Sequence, residues 1–200
     1  MNLKQKFLPI KNTDHRIHYK DHPSRIKIIK SIERYLPESM DTPIVIVCIG
    51  TDRSTGDALG PLIGTRLREK KMSDVEVFGT LENPVHAVNL EETMTEIKGI
   101  YQKPFIIGID ACLGNYNQIG MITVGEGPVL PGAGVNKKLN PVGDMHLTGI
   151  VNVSGHMEYF VLQNTRLNLV MNMAYVIADS IHAALSNYKR KEFTTKINIK

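Results

Sequence analysis

The sequence predicts an α/β protein, a three-layer α/β/α sandwich whose central sheet is mainly parallel or mixed. Three observations lead there. Short apolar runs such as "IVIVCI" and "PFIIGI" are rich in β-branched residues and lack polar alternation, as strands covered on both faces do. Segments with helical periodicity separate them. The resulting β–α–β–α–β order is that of a sheet with helices on its faces.

The elements follow in order. Residues 1–22 are polar and basic without a clear period, which predicts a solvated arm. Pro23 can open a helix, and Ile26, Ile29, Ile32 and Leu36 follow at helical spacing. Pro37 and Pro43 bracket a linker to the first strand, Ile44 to Ile49. A helix is expected from about Leu59 to Lys70, and a second strand over Val75 to Phe78. Asn89 followed by Glu92 reads as a variant capping box opening a helix that runs to about Tyr101. Pro104 to Ile109 is a third strand, ending at Asp110, and Ile119 to Val124 a fourth. The segment 125–143 is rich in Gly and Pro and reads as a long loop of the kind that often carries function. His146 to Val153 is a fifth strand. Leu167, Val170, Met171, Ala174, Ile177, Ala178, Ile181 and Leu185 form the apolar stripe of a last helix. The division expected is a basic arm and helix over 1–43, a single domain over 44–188, and a basic tail over 189–200.

Two hundred residues suit one domain with a sizeable core. Charge is concentrated at the ends: residues 1–34 carry +6, residues 189–200 carry +4, and the middle carries −6. Basic ends can touch an acidic partner, but no recognition motif or aromatic interleaving points to nucleic acid. No apolar run approaches the roughly 20 residues of a membrane span, and "MNLKQKFLPIKNTDHR" lacks a signal-peptide core. The expectation is a soluble, cytoplasmic protein without a membrane partner. Cys48 and Cys112 read as buried reduced thiols.

In α/β sheets, sites lie beyond the carboxyl ends of the strands. Two such exits carry acids here: "GTDRSTGDALGP" after the first strand, with Asp52 and Asp57, and "FIIGID", with Asp110. If those strands are neighbours, Asp57 and Asp110 face each other. Two close carboxylates resist joint ionisation and can hold one proton between them, so that one acts as base on a water and the other as acid. Alternatively the pair could hold a divalent metal with a histidine as third ligand. Asp57 has a structural reading too, as a helix cap. Pro61 favours a start at the first helical position, which makes Gly60 the N-cap and leaves Asp57 free. Asp52 and Arg53 form a local ion pair or a substrate contact, with the structural role ahead. There is no P-loop and no G-x-G-x-x-G, so a nucleotide fold is not supported. His15, His18 and His22 lie in the basic arm; His146 and His156 flank "LTGIVNVSG". Ser154 lacks the G-x-S-x-G setting of a hydrolase nucleophile.

The motifs "IGTDRSTGDALGPLIG", "IGIDACLG", "VGDMHLTGIVNVSG" and "MEYFVLQNTRLNLVMNMA", in this order, resemble the YyaC-type sporulation proteins of spore-forming bacteria. Those are similar to the spore germination protease, which degrades small acid-soluble spore proteins, and more distantly to the hydrogenase maturation endopeptidases. The resemblance spans about Ile44 to Ser186 and implies the α/β/α sandwich. It also implies an aspartate-dependent peptidase. The germination protease's "T-x-D-A-L-G-P" turn matches Thr55, Gly56, Asp57, Ala58, Leu59, Gly60 and Pro61, and its "I-D-A-L" matches Ile109, Asp110 and Ala111, with Cys112 in place of leucine. The hydrogenase maturation enzymes add a histidine in "H-Q-T-G" to grip a metal in their substrate. His146, Leu147, Thr148 and Gly149 match it in part, with His156 as the alternative, and the metal implied is Zn or Ni. Backbone N–H groups of the Gly50–Gly60 turn are expected oxyanion donors, with Asp52, Arg53, Ser54, Thr55 and Gly56 as substrate or oxyanion contacts. The expected substrate is a spore protein in the forespore or spore interior. The rival expectation is a sporulation protein that keeps the scaffold without the chemistry, as a partner- or metal-binding module.

Overall fold

Ile44, Val45, Ile46, Val47 and Cys48 are all buried, as a strand covered on both faces requires. They form β2 in a computed structural model that describes residues 15–72, 74–132 and 139–197. The elements are β1 (His15–His18), α1 (Ser24–Tyr35), β2 (Ile44–Cys48), α2 (Leu59–Glu69), β3 (Val75–Phe78) and α3 (Leu90–Ile100). Then come β4 (Phe105–Gly114), β5 (Met121–Glu126), β6 (Met145–Val153), α4 (Glu158–Gln163) and α5 (Leu167–Ile197).

The six strands form one mixed sheet in the order β1-β5-β6-β4-β2-β3. β3, β2, β4 and β6 run parallel, while β5 is antiparallel to both β6 and β1. Ile46, Cys48, Ile107, Ile109, Met145 and Leu147 pack on one face with α1, α2 and α5. Val45, Val47 and Ile106 pack on the other with Leu90 and Ile97 of α3 and with Val129 and Val142. This is the expected three-layer sandwich, and β2 and β4 are neighbours in it.

Several expectations need correction. Residues 15–18 are not part of an arm: Ile17 is buried, and the segment closes the sheet as an edge strand paired with β5. Residues 1–14 lie outside the described residues. α1 is rotated from the expected phase, burying Ile28 and Ile32 while Ile26 stays 52% exposed. α2 begins at Leu59 with Ala58 as N-cap, two residues before Pro61. Proline is accommodated there because the first four helical amides have no intrahelical partner to lose. The Asn89 side chain does not cap α3. Its Oδ1 accepts from the His86 amide at 2.8 Å and its Nδ2 donates to the Pro84 carbonyl at 3.0 Å. β5 is shifted by two residues from the expected strand.

β4 continues past Asp110 to Gly114 because β6 pairs with it from Ile107 to Gly114, whereas pairing with β2 stops at Cys48 opposite Ile109. Asp110 therefore sits where the sheet opens on its β2 side. α5 runs on through the expected tail to Ile197. Its stretch Leu167–Arg190 has the length and hydropathy of a membrane span, against the expectation, but half of the most apolar window is buried inside the protein. Asp179 on this helix receives Arg25, Arg66 and Lys70 at 2.9–3.1 Å. Of the Gly/Pro segment, residues 133–138 lie outside the described residues, and Val129 and Val142 on either side are bridged antiparallel.

Candidate active site

The turn from Gly50 to Ala58 is folded by its own backbone. The Gly50 amide donates to the Val85 carbonyl at 2.8 Å, Thr51 to Asp57 at 3.2 Å, and Ala58 to Ser54 at 2.9 Å. Gly50 has φ +150° and lies against the Asp57 carbonyl so closely that a Cβ would stand 2.0 Å from it. Only glycine fits there, and that contact fixes Asp57 beside the end of β2. The short helix α4 sits on the same turn: the Gly56 amide donates to the Leu162 carbonyl at 2.9 Å, and a Cβ on Gly56 would lie 2.7 Å from Leu162 Cδ2. Asn152 of β6 ties α4 down from below through the Val161 carbonyl and Thr165 Oγ1, both at 3.2 Å.

Between the turn, the exit of β4 and α4 lies a cavity of about 250 Å³. Asp57 and Asp110 both line it, with Thr51, Arg53, His86, Cys112, Glu158 and Tyr159 as the other polar or titratable side chains. The rest of the wall is apolar, from Ile49, Val88, Leu113, Leu139 and Leu162 among others. Burial raises the Asp57 pKa, and the nearby Ser54 hydroxyl offsets part of the rise. Ser54 Oγ is buried without a hydrogen bond of regular geometry among the described residues, so its influence on Asp57 is one of proximity. Asp110 is pushed up further. Burial comes first and the Asp57 charge second, against a 2.8 Å hydrogen bond from the Ala111 amide to Asp110 Oδ1. Asp110 keeps some surface, but it faces the cavity, and protein surrounds the carboxyl closely enough for desolvation to dominate. The pair therefore titrates asymmetrically. Asp57 is the member that ionises first, and Asp110 retains the proton.

Cys112 shares this wall. Burial and the Asp110 charge push its thiol up to about 12, against hydrogen bonding with Thr148 and the charge of Arg16. It is a neutral thiol, as is Cys48, which burial raises further still.

The other expected site residues divide. Arg53 lines the cavity, but among the described residues no ion pair joins it to Asp52. Both are exposed, and Thr51 Oγ1 links them, donating to Asp52 Oδ1 and accepting from Arg53 Nε, each at 3.5 Å. Ser54 and Gly56 are buried within the turn, and Thr55 is half-buried; none of the three lines the cavity.

His146 is opposite Gly108 in the β4–β6 ladder, two residues short of Asp110 or about 7 Å back along the strand. Its Nδ1 lies 3.0 Å from the Gly127 carbonyl. His156 is exposed ahead of α4, outside the cavity wall. Among the described residues no three His, Cys, Asp or Glu side chains converge on a point where a metal could sit. The donor set does not fit the three-ligand Zn or Ni centre expected. The histidine in the cavity is His86, which sequence reasoning missed. No motif marks it; its position comes from the bridge between Ile49 and Val85, a contact between segments 36 residues apart. α4, with Glu158 and Tyr159, was missed because six residues are too few to display a helical period.

A family model described as a protein of unknown function (DUF1256) matches residues 16–180. The chain belongs to this family. It is 54% identical over 156 residues to the uncharacterized protein YyaC of Bacillus subtilis (strain 168), an alignment covering 76% of each chain. Among solved structures it is similar to the NiFe hydrogenase maturation protease HycI from Thermococcus kodakarensis KOD1. The TM-score is 0.54 at 21% identity, over 78% of this chain and 98% of that one. The likeness to HycI shows a shared fold.

Proposed function

We propose that the protein is an endopeptidase in which Asp57 and Asp110 act as a base–acid pair on a water molecule. The observation that carries this reading is the coupled pair itself: two carboxyls on one cavity wall, both raised by burial, with the Asp57 charge raising Asp110 further. Asp57, as carboxylate, takes a proton from water while the water oxygen bonds to the peptide carbonyl carbon. The carbonyl π pair moves onto its oxygen. Asp110 then gives its proton to the amide nitrogen, and the C–N bond breaks as the oxyanion pair returns. The proton held by Asp57 passes back to Asp110, so the pair is restored.

The apolar wall favours a large apolar side chain next to the scissile bond. Loop residues Pro131, Gly132 and Leu139 line the same cavity and would shape substrate access. The substrate we favour is a protein made during sporulation, such as a small acid-soluble spore protein, met in the cytoplasm of the forespore or in the spore interior. The resemblance of the turn and strand motifs to the germination protease supports that choice. The test is incubation of the purified protein with the acid-soluble fraction of dormant spores and mass-spectrometric mapping of new termini. New cuts beside apolar residues are expected. An intact fraction accompanied by retention of one of its proteins on the immobilised chain would instead favour a binding module.

A further inference from the structure

We infer that His86 is the oxyanion donor of this site, an inference that rests on the peptidase reading above. Hydrolysis through Asp57 and Asp110 leaves negative charge on the former carbonyl oxygen, and a site that stabilises it needs an N–H or O–H donor aimed into the cavity. The turn amides expected to serve are largely engaged: those of Gly50, Thr51, Gly56 and Ala58 donate to backbone carbonyls, and that of Arg53 to Thr51 Oγ1.

Among the side chains on the cavity wall, Thr51, Arg53, Tyr159, Cys112 and His86 can donate. The Thr51 hydroxyl is directed to Asp52 Oδ1 at 3.5 Å. Arg53 is exposed, and its Nε is turned to Thr51. Tyr159 is 61% exposed, on the solvent side of α4's N-terminal end. The Cys112 thiol is a weak donor. His86 is held where a donor is needed. It follows Val85, whose carbonyl binds the Gly50 amide, and Gly50 packs directly on Asp57. Asn89 pins the 84–89 loop from both sides. The Val88 amide donates to His86 Nδ1 at 3.3 Å. A nitrogen that accepts an N–H carries no proton, so the neutral ring bears its proton on Nε2. His86 transfers nothing in the cycle; its Nε2–H donates to the oxyanion while the carbonyl electron pair resides there.

The experiment compares wild type, His86→Ala, His86→Gln and Asp57→Asn, all full-length and checked for equal melting temperature. The probe is the acid-soluble spore protein fraction, followed by one peptide spanning a mapped cut. His86→Ala is expected to lower kcat about 10²–10³-fold, the usual loss for one oxyanion donor, with KM within twofold. His86→Gln, which restores an N–H at similar reach, should recover at least tenfold of that loss. Wild-type kcat in His86→Ala, a loss confined to KM, or equal impairment of both His86 variants would overturn the inference. If Asp57→Asn is inactive at the same time, the peptidase reading stands. If wild type itself cuts nothing, both fall.

Discussion

Replacing Asp110 by asparagine should stabilise the protein at neutral pH, and its pH dependence follows from the geometry of the pair. Burial and the Asp57 charge raise the Asp110 pKa in the folded state. In the unfolded chain the group titrates near 3.9. Between those two values the native state holds a proton that the unfolded state has released. Stability therefore falls as pH rises through this window, and it is flat above the folded value. For one proton the slope is at most about 1.4 kcal/mol per pH unit. The asparagine side chain has the size of the protonated acid and no such proton to lose. Urea denaturation of wild type and Asp110→Asn at pH 4, 5, 6 and 7 isolates the contribution of the pair, because groups remote from Asp110 cancel in the difference. The variant's advantage should be smallest at pH 4 and grow toward about 1.4 kcal/mol per unit across the window before levelling. In an Asp57→Asn background the window should narrow, since one cause of the shift is gone. Parallel curves for wild type and Asp110→Asn, or an advantage to wild type that grows with pH, would refute the account of a desolvated, coupled acid.

Two further perturbations probe the frame around the site. Gly56→Ala places a Cβ 2.7 Å from Leu162 Cδ2 and 3.1 Å from the Leu162 carbonyl; it should cost about 1–3 kcal/mol in urea denaturation as an overpacked contact, and a change below about 0.5 kcal/mol would mean that α4 does not rest on the turn. Asp179→Asn removes three cation contacts. Burial alone would raise Asp179, but Lys70 and Arg66 hold it below the usual carboxylate range. Its stabilisation is therefore present above the unfolded value near 3.9 and lost as pH falls through the lower folded value. At the roughly 0.2–1 kcal/mol typical of partly exposed pairs, the variant should lose about 1–2 kcal/mol at pH 7, shrinking in acid; a loss independent of pH would contradict the ion-pair account.

Much of this arrangement is legible in the chain because the buried strands announce themselves. β2, β3 and β6 are runs whose composition leaves few alternatives, whereas the adjacency of β2 and β4 is a condition the sequence leaves open and the pairing of Ile44–Cys48 with Phe105–Ile109 supplies. That adjacency is what brings Asp57 and Asp110 together. What is not legible depends on partners distant in sequence. The extension of β4 beyond Asp110 is dictated by β6, and the "ACLG" segment has no strand signature of its own. β1 has one buried side chain, Ile17, too little to form a pattern. The Pro61 signal misplaced the helix start because proline is tolerated anywhere in the first turn. His146 sits in a promising motif, yet strand register turns it to the Gly127 carbonyl. His86 has no motif and reaches the cavity through the Ile49–Val85 bridge and the Asn89 contacts.

The most direct test of the central claim is the cleavage of acid-soluble spore proteins by wild type, Asp57→Asn and Asp110→Asn at equal, folded concentrations. Each variant removes one half of a base–acid pair whose members contribute about 10²–10⁴-fold apiece. The account predicts a rate loss of at least that order in both. Cleavage at the wild-type rate by either variant would contradict it.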